Sequence, residues 1–490
     1  MDERTTFFYD RNAVSNQQGL HLQGVPVEKH GVVFEADVPS DLDDVISFAG
    51  SILTLGDGRF RMYYSCRKPG TMRIAVAESG DGLHWERPPL GQMQWNGHDT
   101  NHIKIEGLYD NANVVQPVVV RLDDERWMMY CWLHGQDRGY IRYIISESSD
   151  GLRWTLTDID RPAIYHPSDL EVGQAGWTAG LTNADPKDKF ADKRTLDWMA
   201  AKRLRSNDAT YVYFDPEKDL FEMYSVWLLP NQPETHRYIP HDNAPKVLRT
   251  IHRRTSTDGR SWSAPELVIT PDAHDPLEME FYYLAVHRGI EWRTGFLGHY
   301  RCWDQTMDIE LCFSRDGRHW LRPLRGGWIP RDPIPERGCM SAYAPNDIIT
   351  VGDRHILLYT AGNTKHNHEA PPGVGKPWRG VMAASWPAGR FAGLATASGA
   401  VGSLALRPFI PGRPEITVDA DVRGRLRAEL RDPYGTPIEG CELHRSIPAT
   451  GDSRTHALRW EGDRTTAPYQ YDAVSLRLEI SDGVIYSLET

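Results

Sequence analysis

Acidic residues, or their amides, stand just ahead of or inside five strand-like runs of the chain. "SDLDDVISFAGSIL" carries Asp41, Asp43 and Asp44, and "YDNANVVQPVVV" carries Asp110, Asn111 and Asn113. "RSNDATYVYFDP" places Asn207 and Asp208 directly before strand residues, "DPLEMEFYYLAV" alternates Glu278 and Glu280 with apolar partners, and "ERGCMSAYAPNDII" brings Glu336, Ser341 and Tyr343. Any one of these is an ordinary turn-forming residue at the start of a strand. Glu280 resists that account, because a charge inside "MEFYY" is comfortable only if it is paired or used. Asp208 resists it too. Carboxyls gathered at one place raise one another's pKa and divide into an acid and a base, the pair that cleavage of a glycosidic bond requires.

For five such places to meet, the fold must bring together strands that are distant in sequence. A repeat supplies the means. Ser-x-Asp-Gly-x-x-Trp occurs four times, as "SGDGLHW" from Ser79, "SSDGLRW" from Ser148, "STDGRSW" from Ser256 and "SRDGRHW" from Ser314. Ser and Asp bond their own backbone, Gly supplies a left-handed residue, and Trp packs over the turn, so each copy marks the same corner of one unit. Reading backward from each turn gives the same order: an apolar strand, a turn, a second strand, a loop, a third strand. A fifth copy, "NDIITVGDRHILLYTAGNTKHN…WRGVMAASW", ends at Trp386 without the motif. Units of three to four antiparallel strands with loops of uneven length predict an all-β chain, a five-bladed β-propeller in which the inner strands begin around one mouth.

The predicted domains are a lead-in segment over 1–40, the propeller over 41–400, and a β-sandwich over 401–490, where short alternating strands with Pro/Gly turns replace the repeat. Within the propeller, residues 160–205 form an insertion, with a helix expected over "DKRTLDWMAAKRLR" and a lid as its expected role.

Composition narrows the partners. Fifty-five Lys plus Arg against 67 Asp plus Glu give a net charge of −12, which argues against nucleic acid or an anionic membrane. Sixteen Trp and 21 Tyr suit β-sheet packing and stacking on sugar rings. "MDERTTFFYDRNAV" lacks the apolar run of a secretion signal, so the expected location is the cytoplasm. Six cysteines show no paired spacing, and Cys66, Cys131 and Cys302 fall at one repeat position, where they read as reduced core residues.

The fivefold repeat, the Ser-x-Asp-Gly-x-x-Trp turns and the appended sandwich together resemble the five-bladed propeller glycoside hydrolases, the invertase, levanase and arabinanase kind of families 32, 43, 68 and 130. The resemblance covers roughly residues 40–386. It implies a glycosidase acting on a small glycoside or oligosaccharide, a furanoside among the options. By position it implies Asp44 as nucleophile or base with Asp43 as rival, Asp208 as the carboxylate that orients the sugar, and Glu280 as general acid. The invertase signature Asn-Asp-Pro-Asn-Gly is absent, and "RDP" occurs only at Arg331–Pro333, so the resemblance points to the chemistry of the group rather than to fructosidase activity.

Asp43, Asn113, Asn207, Arg301, Glu336 and Tyr343 are the expected substrate-binding residues. Arg301 is read either as a clamp for a carboxylate or acidic sugar, or as a structural partner. His366, His368 and Glu369 in "NTKHNHE" are of metal-ligand type, but their spacing on a loop reads first as a solvated turn. No cofactor is required, although the Asp and Asn content would permit a calcium ion on the axis. A homo-oligomer stays open. Two other functions compete: a propeller that binds carbohydrate without cleaving it, and a phosphate-dependent phosphorylase, for which Lys202, Arg203 and Arg205 would supply the basic cluster.

Overall fold

The structure is a computed structural model that describes residues 5–134, 141–159, 161–165, 205–230, 247–289, 291–366 and 369–490. Among these residues the regular structure is all β apart from short 3-10 turns. Most of the 160–205 insertion, its expected helix, and Lys202 and Arg203 lie outside the described residues. The chain divides into two units, one comprising Val27–Trp320 and Arg325–Ala388, the other containing Gly389–Thr490 and the chain up to Pro26.

The first unit is the β-propeller. Its antiparallel meanders follow in order: Asp44–Thr54, Phe60–Lys68 and Thr71–Ser79; then Asn113–Arg121, Trp127–His134 and Ile141–Ser148; then Arg205–Asp215, Leu220–Pro230 and Val247–Ser256; then Met279–Arg288, Arg293–Arg301 and Thr306–Ser314. The last has a split inner strand, Ser341–Tyr343 and Ile349–Val351, paired with Arg354–Gly362 and followed by Arg379–Pro387. The middle strands are buried along almost their whole length, because each is covered on both sides by a neighbouring blade. In "FRMYYSCRK", Met62, Tyr64 and Cys66 pack with Ile349, Ile356 and Val381 of the last blade. Tyr63, one residue over, packs instead with Val119, Met129 and Trp154 of the second. Continuous apolar runs are the expected signature of strands covered twice.

The expected lead-in over 1–40 is corrected by the structure. Glu28–Phe34 is the outermost strand of the last blade, paired with Arg379–Pro387, which would otherwise present an open edge. Thr5–Phe7, Val14–Gln18 and Leu20–Gly24 are strands of the other unit. The domain boundaries drawn at 40/41 and 400/401 therefore move to 26/27 and 388/389.

That second unit, the β-sandwich, is hydrogen-bonded as one eight-stranded network around Thr417–Arg431 and Ser475–Glu489. Val418, Ala420, Val422, Leu426, Ala428 and Leu430 alternate along the first of these strands, Leu476, Leu478 and Ile480 along the second, and all face one core. The alternation was legible in the sequence as period two.

All six cysteines are buried and free. Burial pushes the thiols of Cys66 and Cys131 up, so neither is a ready nucleophile.

Candidate active site

Every inner strand loses register with its neighbour near the same level. The shifts fall between Ile46 and Ser51, Val115 and Val118, Ser206 and Thr210, and Phe281 and Leu284, and in the last blade between Tyr343 and Ile349. Extra residues on the inner strand form bulges, which bend the strand and re-aim side chains. Gln116 takes φ +60° and Ala49 φ +47° at these places. The backbone groups released from the ladders are answered by side chains of other blades. Thr360 accepts from the Phe48 N–H at 2.8 Å, Tyr211 from Ala49 at 3.3 Å, Ser65 from Gln116 at 2.8 Å, and Tyr283 from Ala344 at 2.9 Å.

The re-aimed side chains are those that line a cavity of about 180 Å³ within the propeller unit. Phe48, Gln116, Asp208 and Tyr282 come from the four bulges, and Tyr343 from the break in the fifth inner strand. Arg67, Met72, His134, Thr360, His366 and Arg379 complete most of the wall.

Asp208 is the carboxylate of this cavity. Its Oδ2 accepts the Gln116 amide at 3.1 Å, and its main-chain oxygen accepts the Trp132 indole N–H. Among the described residues Oδ1 is buried with no hydrogen-bond partner, an arrangement that costs stability unless a ligand completes it. Asp44 is the cross-strand partner of Arg67 and meets its guanidinium at 3.1 Å. Arg67 lines the cavity, so the pair stands at its edge.

Tyr343 is buried, its ring 5.0 Å from that of Phe48 and its hydroxyl 3.0 Å from His366 Nδ1. Burial pushes its phenol up, against the opposing pull of Arg379. The rings of Tyr282 and His366 meet at 4.8 Å, and those of Tyr300 and His366 at 5.1 Å.

Glu280 lies behind this aromatic wall. It is buried and ion-paired at 2.5 Å with the fully buried Arg249, whose guanidinium sits 5.3 Å from the Tyr282 ring centre and 5.2 Å from that of Tyr300. A glutamate held by a buried guanidinium has no proton to donate until that pair opens.

The other residues singled out by sequence scatter. Asp43 and Glu336 are exposed. Asn113 accepts the Met72 N–H at 3.0 Å and so fixes a residue of the cavity wall. Asn207 lies in the bulge beside Asp208, its side chain outside the described residues. Arg301 ends its strand away from the cavity lining, with a buried Nε that has no partner. Asp41, near Asp44 in sequence, is fully buried and paired with Arg87 at 2.7 Å. His366 belongs to the cavity, whereas Glu369 pairs with Lys365 at 3.0 Å and His368 is outside the described residues. Among the described residues no three His, Cys, Asp or Glu side chains gather to hold a cation.

Arg67, Gln116, His134, Tyr282 and Arg379 were missed by sequence reasoning. For Arg67 a signal existed: antiparallel pairing places the end of a blade's second strand beside the start of its first, so a charge at the end of "MYYSCRK" faces Asp44. Gln116 also had one, because Pro117 interrupts an otherwise apolar strand where a bulge is the usual reason.

No protein-family model matches the chain. The extracellular endo-α-(1→5)-L-arabinanase of Thermotoga petrophila is 24% identical over 265 residues, which cover 50% of this chain and 46% of that protein. The chain thus spans about half the length of the curated relative it matches. Among solved structures, a glycoside hydrolase aligns with TM-score 0.46 and 13% identity over 77% of this chain and 93% of its own. An N-acetylgalactosamine deacetylase from F. plautii, in complex with blood group B trisaccharide, aligns with TM-score 0.43 and 13% identity over 76% and 96%. By sequence the chain resembles an arabinanase over half its length, and by architecture it is an all-β propeller with a C-terminal β-sandwich.

Proposed function

We propose that the propeller cavity is the active site of a glycoside hydrolase acting on a small glycoside or short oligosaccharide. The observation that carries this reading is Asp208, a carboxylate aimed by a bulge into an aromatic-lined cavity with one buried oxygen left for a ligand. The partial likeness to an arabinanase supports it.

In this reading Asp208 orients the sugar through Oδ1, and Gln116 fixes the carboxylate by holding its other oxygen. Asp44, ion-paired with Arg67, is the nucleophile or base. Glu280 remains the acid of the scheme, a role that requires its ion pair with Arg249 to open and the carboxylate to take up a proton from solvent. Phe48, Tyr282 and Tyr343 offer flat apolar faces to the sugar ring. Action inside the cell is part of the proposal and is supported by six buried cysteines, none of them in a disulfide.

The test is a screen of aryl furanosides and pyranosides with the wild-type protein and Asp208→Asn. Aryl alcohol released by the wild type and lost in the variant is the expected result. Turnover that survives the substitution removes Asp208 from the mechanism.

A further inference from the structure

The cavity wall carries more guanidinium than its carboxylates answer. Arg67, in the lining, is matched by Asp44, and Arg249, behind the aromatic wall, by Glu280. The side chain of Arg379, at the start of the last strand of the fifth meander, has no hydrogen bond or ion pair among the described residues, and its Nε is buried without a partner. The residue keeps part of its surface exposed and lines the cavity. Burial, and then the nearby charge of Arg67, push its guanidinium pKa down, while Tyr343 and Asp44 pull the other way. Asp44 pairs with Arg67 and leaves Arg379 without an ion pair among the described residues. Asp208, on the same lining, keeps an unpartnered oxygen and makes no ion pair with Arg379.

A guanidinium whose Nε is buried without a partner and a carboxylate oxygen in the same condition are each costly. One kind of ligand relieves both: a molecule with an oxyanion for the guanidinium and hydroxyls for the carboxylate. Arginine's planar fork matches a carboxylate bidentately. The same lining carries Phe48, Tyr282 and Tyr343, whose rings suit a sugar ring. The cavity of about 180 Å³ can admit a single ring.

We infer that the cavity selects an acidic sugar, with Arg379 holding the carboxylate of a uronic acid while Asp208 takes its hydroxyls. This inference rests on the glycosidase reading and deepens it to a substrate class. A free phosphate shares the oxyanion chemistry but would leave the aromatic faces without a ring, so it is the rival source.

Calorimetric titration of the full-length protein with glucuronate and galacturonate, with glucose and galactose, and with inorganic phosphate separates these. A uronate that binds about ten-fold or more tightly than its neutral counterpart is expected. Arg379→Gln should erase that preference, and Arg379→Lys, which keeps the charge without the fork, should retain part of it. Thermal melts confirm that both variants are folded.

Equal binding of acidic and neutral sugars, a preference that survives Arg379→Gln, no uronate binding at millimolar concentration, or binding of phosphate alone each overturns the inference. Hydrolysis of neutral aryl glycosides without any uronate preference overturns this inference and leaves the glycosidase reading standing. A uronate preference with no hydrolysis of any glycoside, acidic ones included, does the reverse.

Discussion

Between the third strand of each of the first four blades and the segment beyond it, one set of bonds recurs almost unchanged. The serine Oγ accepts the Gly N–H at 2.8, 2.9, 2.9 and 2.9 Å for Gly82, Gly151, Gly259 and Gly317. The aspartate Oδ1 accepts the next N–H at 2.9, 2.8, 2.8 and 2.8 Å. Three of the four turns are also pinned to the preceding blade: Tyr63 donates to Gly151, Tyr130 to Gly259 and Tyr224 to Gly317, at 2.7, 2.7 and 3.0 Å. At the bulges of the inner strands, by contrast, the same repeat delivers Phe48, Gln116, Asp208 and Tyr282, and nothing recurs.

The lesson lies in what repetition costs. A turn whose task is to dock one blade on the next meets the same surroundings each time, so one solution serves every blade. A cavity shared by all blades needs a different group from each, and five identical residues there could not divide the work. Repetition in this chain marks structure, and the break in repetition marks function.

That contrast can be tested by substitutions at each end. The largest effect should come from Asp208→Asn, which is expected to lower turnover by about 10²-fold or more through lost positioning of the sugar while moving the denaturation midpoint little. A large loss of stability would mean that the cavity is scaffold after all.

Next comes Arg249→Met, which removes the guanidinium that pairs with the buried Glu280. Chemical denaturation should show a loss of about 3–5 kcal/mol. A small change would show that Glu280 is protonated in the folded protein, and so fit to act as an acid.

A buried histidine sets an effect of a few kcal/mol. Burial lowers the pKa of His252 to about 3. The folded value lies below the unfolded one, so the unfolded chain takes up the proton first on acidification. The contribution is intact above about pH 6.5 and is lost progressively as the pH falls toward 3. His252→Asn should flatten the stability profile across that window, and an unchanged slope would assign the acid sensitivity to other groups.

The smallest expected effect is Gly317→Ala, at about 1–3 kcal/mol. Gly317 has φ +76°, and an added Cβ would stand 2.4 Å from the Tyr224 hydroxyl. Activity should be unaffected. If turnover falls with stability spared, the outer turns and the cavity are coupled and the division of labour fails.

Legibility in the sequence followed the same line. The turns were readable because Ser, Asp and Gly bond within a few residues, so their chemistry is local and survives in the text as a motif. Asp208 was readable because a carboxylate directly before apolar strand residues conflicts with its surroundings. Glu280 stood out for the same reason, but the conflict is resolved by Arg249, thirty-one residues away in the chain, and sequence could not name that partner. The N-terminal strand Glu28–Phe34 was missed because its only reason to be a strand is the open edge of Arg379–Pro387, more than three hundred residues later.

What the sequence determined by itself was the all-β class, the repeated unit, the change of grammar near the C-terminus and the free state of the cysteines, since each depends on local periodicity, turn chemistry or composition. Tertiary structure alone decided which side chains share the cavity. A bulge changes the direction of a side chain by an offset of one or two residues, and that offset is set by hydrogen bonds to other blades, such as Ser65 to Gln116 and Thr360 to Phe48. Arg379 could be matched to Asp208 only once the ring had closed, because the two groups are related by the cavity they both face and by nothing in the order of the chain.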